Sequence, residues 1–242
     1  MKAITFIAIT LLAGAIAGTI LGAINQVAVE PYIERAIELE MRNTAQSGEV
    51  INPAEFAAYR FWQKGGEIIA GTILGLSIGS LYGIVFVYTR GLISGTNNKK
   101  KALIVASVMW LVLFLMPALK YPPNPPAVGD PETIYYRQSL YVAFLAISGF
   151  SALGLAFLYR KMTSSSNTKK AIIPLAYAAI MAVAYLAMPS NPDPINAPID
   201  LVIGFRITSA ITISMFWALL GVIFGTFWDK LNPDETARIS IR

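Results

Sequence analysis

The sequence contains no cysteine and no histidine. That excludes zinc sites of the Cys/His type, thiolate chemistry, haem held by His or Cys, and His-based catalytic triads. A metal ion can meet only carboxylate, carbonyl, amide or methionine sulfur. Charge is the second scarcity. Only 14% of the 242 residues are charged, while 55% are hydrophobic; a soluble domain carries about a quarter charged residues. Six stretches carry no charge at all: residues 3–29, 68–89, 102–119, 138–159, 171–192 and 207–228. Each has at least 18 residues, enough to cross roughly 30 Å of hydrocarbon as a helix. The polar faces that soluble helices show at a 3.6-residue period are missing. The fold class read from these runs is an all-α integral membrane protein. Six transmembrane helices are expected, the first as an uncleaved span, forming three consecutive hairpins (about 1–95, 96–165 and 166–242) in a single membrane domain, 1–242. No phosphate-binding glycine loop, paired catalytic carboxylates or nucleophile–base pair is present, so no enzyme, no catalytic residue and no cofactor is expected.

The charges that remain follow a membrane. With the N-terminus inside and the spans alternating, the inner segments hold Lys2, Arg90, Lys99–Lys101, Arg160, Lys161, Lys169, Lys170, Lys230, Arg238 and Arg242, 12 bases against 3 acids. The outer segments hold 7 bases against 11 acids. Basic flanks stay in the cytoplasm, so both termini are placed there, including a tail at 229–242. The net charge of +5 therefore gives no reason to expect nucleic acid; the partner it implies is the bilayer.

The hairpins echo one another. Lys2-Ala-Ile, Lys101-Ala-Leu-Ile and Lys170-Ala-Ile-Ile open spans one, three and five. Arg137 follows Lys101 by 36 residues and Arg206 follows Lys170 by the same 36, whereas Arg60 follows Lys2 by 58. Met116-Pro117 and Met188-Pro189 end spans three and five. The connecting loops carry Asn52-Pro53-x-Glu55, Asp130-Pro131-Glu132 and Ala197-Pro198-x-Asp200. Such self-similarity predicts repetition around a pseudo-threefold axis, although hairpins in lipid also resemble each other by composition alone. The longer first unit holds an insert at about 30–50, where Tyr32, Ile33, Ala36, Ile37 and Met41 share one helical face and Glu30, Glu34 and Glu38 another; it predicts an amphipathic helix on the outer surface. Gly14, Gly18 and Gly22, and Gly71, Gly75, Gly79 and Gly83, recur every four residues. These stripes predict close approach of spans one and two.

The spans hold no Asp, Glu, Lys or Arg at mid-depth, which argues against a self-sufficient proton-coupled carrier. Charges gather at the outer edge instead. Arg60, Arg137 and Arg206 each stand near the start of a returning helix, with Glu67, Asp130, Glu132 and Asp200 close in sequence. An arginine facing a helix N-terminus needs a partner there: a carboxylate, a loop carbonyl or a lipid phosphate. Two uses of this collar stay open, one a structural clamp on the loops and the other a site for an external ion or solute. The segment from Met116 to Gln138 packs six prolines and four charges into one loop. Its stiff backbone can fold over the helix ends and offer carbonyls to a hard cation or to the bundle.

Lys120-Tyr-Pro-Pro-Asn-Pro-Pro-Ala-Val-Gly-Asp-Pro-Glu-Thr-Ile134 resembles the hallmark loop of the CbtA family, predicted cobalt transporter subunits. Arg60-Phe-Trp-Gln63-Lys-Gly65 resembles that family's segment before its second span, and Phe205-Arg206-x-x-Ser209 with Trp217, Gly221 and Gly225 its last one. The resemblance implies a multi-pass subunit in the plasma membrane of a prokaryote, transporting cobalt or a related divalent cation. It also implies a small one-span partner, CbtB, bearing histidines that this chain lacks. The residues it carries over are Arg60, Gln63, Lys120, Asn124, Gly129, Asp130, Glu132, Arg137 and Arg206. With Glu67 and Asp200 from the collar, these make up the predicted substrate-binding or gating set, with Asp130 and Glu132 as candidate ligands for a transported cobalt ion. The competing reading is a non-transporting scaffold or accessory subunit of a larger membrane complex.

Overall fold

A computed structural model describes residues 1–46, 52–126, 128–162 and 171–234. Among these the regular structure is helical: α1 (Ala3–Ala28), α2 (Glu30–Gln46), α3 (Pro53–Thr89), α4 (Asn98–Lys120), α5 (Ile134–Lys161), α6 (Ile172–Ala187) and α7 (Ile199–Leu231). Short 3-10 turns at Arg90–Leu92 and Pro131–Thr133 follow α3 and precede α5. Lys169, Lys170, the end of the insert and the tail beyond Asp234 lie outside the described residues.

Among the described residues, five helices are long and apolar enough to cross a membrane: α1, α3 (extended to Leu92), α4, α5 (from Pro131) and α7. The sixth apolar run is helical over only 16 residues, Ile172–Ala187, about 24 Å at 1.5 Å per residue. Its charge-free stretch continues to Pro192, but the helix does not. Met188 adopts extended backbone with ψ of 142°, as the residue before a proline tends to, and the chain then runs through Pro189, Pro192 and Pro194. The absence of charge marked the apolar run correctly but overstated the helix within it.

The chain divides into two compact units. One comprises Met1–Ser107 with Ile207 onward, and the other Val108–Arg206; α4 and α7 each give a segment to both. In the first unit α1 and α3 run against each other through their glycines. A Cβ placed on Gly75 would lie 2.7 Å from the Gly18 Cα and overlap the Gly14 carbonyl. Gly83 receives Thr10, whose hydroxyl is turned back onto the Phe6 carbonyl at 2.8 Å. The two stripes predicted to pack do so, and Thr19 and Thr72 hydroxyls bridge them at 2.8 Å. Beside this seam Tyr82, Phe86, Phe224 and Trp228 form a buried aromatic stack. Tyr82 closes it by donating to the Ala102 carbonyl at 2.6 Å.

Among its described residues the second unit shows no such seam. Phe144, Met181 and Ala184 form its buried centre, and Met116, Tyr121, Ile147, Tyr177 and Met188 pack around them. Val112 and Ser148, on α4 and α5, are also buried there.

Candidate functional site

Each arginine of the collar grips a loop or an insert, and the sequence determines how. In the first unit, Asn52 caps α3, its side chain accepting the Ala54 N–H at 3.1 Å with Pro53 in the first turn. The helix then runs for 37 residues, ~55 Å, so its first turns precede the apolar run. Arg60 and Lys64 lie on these turns, facing α2. Arg60 donates to Glu30 and to Gln63, and Lys64 pairs with Glu34. Arg60 and Glu30 are both nearly shielded, with side chains 11% and 9% exposed, so this pair is held in low dielectric. The Lys64 ammonium holds the Glu34 carboxyl below the usual carboxylate range by hydrogen bond and charge. Glu67 stands within the fields of Glu30 and Arg60. In the insert Ala36 is buried, Tyr32, Ile33, Ile37 and Met41 are half-buried, and Glu34 and Glu38 are exposed, but Glu30, expected on the same polar face, is buried against Arg60.

In the second unit the proline loop is tied down from three points. Asp130 accepts the Glu132 N–H at 2.9 Å and so starts the turn into α5. This puts Arg137 on the first turn of α5, directed back over the loop. Its guanidinium donates to the carbonyls of Asp130 at 3.0 Å and Val128 at 3.4 Å, and its Nε stands 2.9 Å from Asp193 Oδ2. The same Asp193 oxygen accepts the Asp130 N–H at 2.9 Å and lies 2.7 Å from the Thr133 hydroxyl. Gly129, at φ +101°, lies directly beneath: any Cβ there would come within 2.7 Å of both Arg137 Nη1 and Asp193 Oδ2. The Thr133 hydroxyl, the Asp130 N–H and the Arg137 charge together hold the Asp193 carboxyl below its ordinary range.

Arg206 of α7 grips the other end of the loop. Its Nη2 donates to Asn124 Oδ1 at 2.6 Å, and its Nε lies 3.2 Å from the same oxygen and 3.3 Å from the Pro123 carbonyl. Lys120 donates to the Tyr185 carbonyl at 2.8 Å with its ammonium 4.7 Å from that tyrosine's ring centre, and the Tyr121 hydroxyl donates to the Pro189 carbonyl at 2.6 Å. The grips are reciprocal. Arg137 of α5 takes Asp193 from the segment between α6 and α7, while Arg206 of α7 takes Asn124 from the segment between α4 and α5.

Arg60 and Arg137 pair with carboxylates other than those nearest them in sequence. Glu67, Asp130, Glu132 and Asp200 were expected; Glu30 and Asp193 are found. Asp130 contributes its carbonyl to Arg137 because its carboxylate is already committed to capping the Glu132 N–H. Glu132 is exposed, and Asp200 lies in the first turn of α7, where its charge suits the helix dipole. Arg206 takes an amide in place of a carboxylate. Asp130 and Glu132 join no metal cluster: among the described residues no group of three or more Asp or Glu could hold an ion. Asp193 could have been found from its neighbours. Asn191 accepts the Asp193 N–H at 3.1 Å, so Asn52-Pro53-Ala54, Asp130-Pro131-Glu132 and Asn191-Pro192-Asp193 are three copies of one Asx-Pro turn. The third copy falls at 191–193 and not at 197–200.

A further clamp, at the opposite end of α3, was not read from the sequence. Arg90 makes a bidentate pair with Asp234 at 2.5 and 2.8 Å and lies 4.7 Å over the Trp228 ring. The Lys2 N–H donates to the Pro233 carbonyl at 2.8 Å, and Asn98 donates to Asp229 at 3.0 Å. Asn232, at φ 39°, turns the chain at the end of α7. The hydrogen bond from Arg90 lowers the Asp234 pKa.

The family model described as "Probable cobalt transporter subunit (CbtA)" matches residues 3–229, nearly the whole chain, and the chain belongs to that family. No curated protein and no solved structure matches it.

Proposed function

We propose that this member of the CbtA family is the membrane subunit of an uptake system for cobalt or a related divalent cation. The family match across residues 3–229 carries this reading. In its fuller form, six helices cross the plasma membrane of a prokaryote as three hairpins of one membrane domain, with both termini cytoplasmic and the proline loops outside. The repeated Asx-Pro turns support the three-hairpin arrangement, with α6 as its short member, and a pseudo-threefold origin. Arg60, Gln63, Glu67, Lys120, Asn124, Asp130, Glu132, Arg137, Asp200 and Arg206 then line or gate the outer entrance. The chain lacks the imidazole and thiolate that a borderline cation prefers. An arriving ion therefore either stays hydrated past oxygen ligands such as Asp130 and Glu132, or receives nitrogen ligands from a small one-span partner subunit. The test is cobalt accumulation in cells with and without the gene under cobalt limitation. Lower accumulation and slower cobalamin-dependent growth in its absence are expected; no change in either rejects the proposal.

A non-transporting scaffold or accessory subunit is the second reading. It is favoured by spans stitched through glycine and lacking charge at mid-depth, which suits packing and leaves no obvious coupling residue. Purification in mild detergent separates the two. A stoichiometric larger complex supports the scaffold, and an isolated chain or a pair with a one-span subunit supports transport.

A further inference from the structure

Helix α4 is not a continuous α-helix. Residues Leu111–Leu115 are wound as a π-helix, the Met116 N–H donating to the Leu111 carbonyl five residues back. The next bond in that register would run from residue 117 to the Val112 carbonyl. Residue 117 is proline and has no N–H to give. The Val112 carbonyl is thus deprived of its backbone donor within a buried part of the second unit, where an unpaired carbonyl is costly.

Ser148 supplies the missing donor. It is fully buried on α5, and its hydroxyl lies 2.6 Å from the Val112 carbonyl oxygen. A carbonyl only accepts, so the single serine hydrogen is directed at it. The Tyr177 hydroxyl of α6, 2.8 Å from Ser148 Oγ, must then be the donor in that second bond. One chain of two hydrogen bonds therefore links α6 to α5 to the break in α4. Beyond the break, Lys120 and Tyr121 bond to the carbonyls of Tyr185 and Pro189, so the outer segment of α4 is tied to the end of α6. Pro117 thus interrupts the ladder of α4 at the π-wound stretch, and a helix bends at low cost where its ladder is interrupted.

We infer that Leu111–Leu115 is a joint in a membrane helix, and that Ser148 and Tyr177 are the positioning residues that latch it by replacing the donor Pro117 cannot provide. Released, the joint lets Met116–Lys120 tilt with the proline loop attached. π-Helical turns inside α-helices recur at functional sites, and here the turn lies one segment below the arginine clamps. The inference deepens the transport reading, on which it rests only for the purpose of the movement; whether the joint exists can be decided without any ion.

Two measurements on the full-length protein in detergent decide it. In a double-mutant cycle, Ser148→Ala lowers the thermal midpoint in the wild-type background. In the Pro117→Ala background residue 117 regains its N–H, and the loss shrinks to about half or less. Ser148→Thr, which keeps the hydroxyl, restores most of the midpoint. Equal losses in both backgrounds overturn the latch. Spin labels at Leu119→Cys, beyond the joint on α4, and Phe150→Cys, on α5 near Ser148, both exposed positions, report the movement in a chain with no native cysteine. With Ser148→Ala added, the distance distribution between them shifts or broadens. An unchanged distribution overturns the joint, even if Pro117→Ala fails to fold. Normal cobalt accumulation with a shifted distribution would leave the joint standing and reject its use in transport.

Discussion

The two units of this chain solve the same problem by opposite means. Lipid gives helices no hydrophobic reason to associate, so contact must come from close packing or from polar bonds. The first unit takes the first route. Gly14, Gly18 and Gly22 meet Gly71, Gly75 and Gly79 with backbone against backbone, leaving no room for a Cβ. The second unit takes the second route. Its glycines Gly149 and Gly154 on α5 face open space, and its helices are joined by Ser148, Tyr177, Arg137, Arg206 and Asp193. A seam of backbones cannot slide without a clash. A set of hydrogen-bonded latches can open one bond at a time. The comparison makes the first unit the rigid part and the second the adjustable one, in keeping with a proline-made joint in the second.

The largest effect should come from breaking the seam. Gly75→Ala places a methyl group against the Gly14 carbonyl and 2.7 Å from the Gly18 Cα. Overpacking typically costs ~1–3 kcal/mol and sometimes more, and here the obstacle is backbone, which cannot rotate aside. Gly149→Ala adds the same methyl group where nothing lies within 4 Å, and should be neutral or stabilising by up to ~1 kcal/mol. Thermal unfolding of the two variants in one detergent checks this. Equal midpoints would remove the distinction between the units.

Next in size is Arg137→Ala. It removes donors from two loop carbonyls and from the Thr133 hydroxyl, and the ion-pair partner of Asp193, whose side chain is only 6% exposed. A larger loss of thermal midpoint is expected than for Lys100→Ala, at an exposed position on the first turn of α4. Protease sensitivity of the proline loop should rise only in the arginine variant. If both variants melt alike, the loop is not held by this clamp.

Arg90→Ala should matter less, about 1 kcal/mol or below, because Asp234 is 40% exposed and water screens the pair. Raising the salt concentration should shrink the Arg90 effect and leave the Arg137 effect nearly unchanged. A salt response of the reverse order would show that the better-shielded clamp is the Arg90–Asp234 pair.

Much of this was legible in the sequence, for identifiable reasons. Apolar runs and glycine spacing are local patterns, so the helices and the seam could be read directly. The arginines were legible because each follows a proline loop at the start of a helix, two of them 36 residues after a lysine. Their partners were not, because the fold brings together segments that are distant in the sequence. Glu30 is 30 residues from Arg60, and Asp193 is 56 from Arg137. The Asx-Pro turn at Asn191-Pro192-Asp193 is legible in the sequence, but Ala197-Pro198-x-Asp200 competes with it as the echo of the other two loops. Ser148 stands out in no pattern of the sequence. Its role depends on a missing N–H at Pro117, 31 positions away, which only the π-wound turn reveals.

The smallest effect separates the two aspartate clamps by acid. The Asp193 carboxyl is held low chiefly by the Thr133 hydroxyl, with the Asp130 N–H and Arg137 assisting, and that of Asp234 is held low chiefly by Arg90. A carboxylate whose folded pKa lies below its unfolded value, about 3.9 for Asp, contributes stability that is fully present above that value. The contribution is lost as pH falls through the folded pKa. Both clamps should therefore be intact from neutral pH down to about 5 and weaken below about 4. With no histidine in the chain, no side chain of unperturbed pKa titrates between about 5 and 8 to blur that plateau. Melting curves at stepped pH should show a flat limb followed by an acid decline. Asp193→Asn should reduce the steepness of the decline at both low and high salt, since its clamp is shielded. Asp234→Asn should reduce it only at low salt. If Asp193→Asn leaves the acid limb as steep as in the wild type, its carboxylate does not hold the proline loop, and the second unit loses the latch that most distinguishes it from the first.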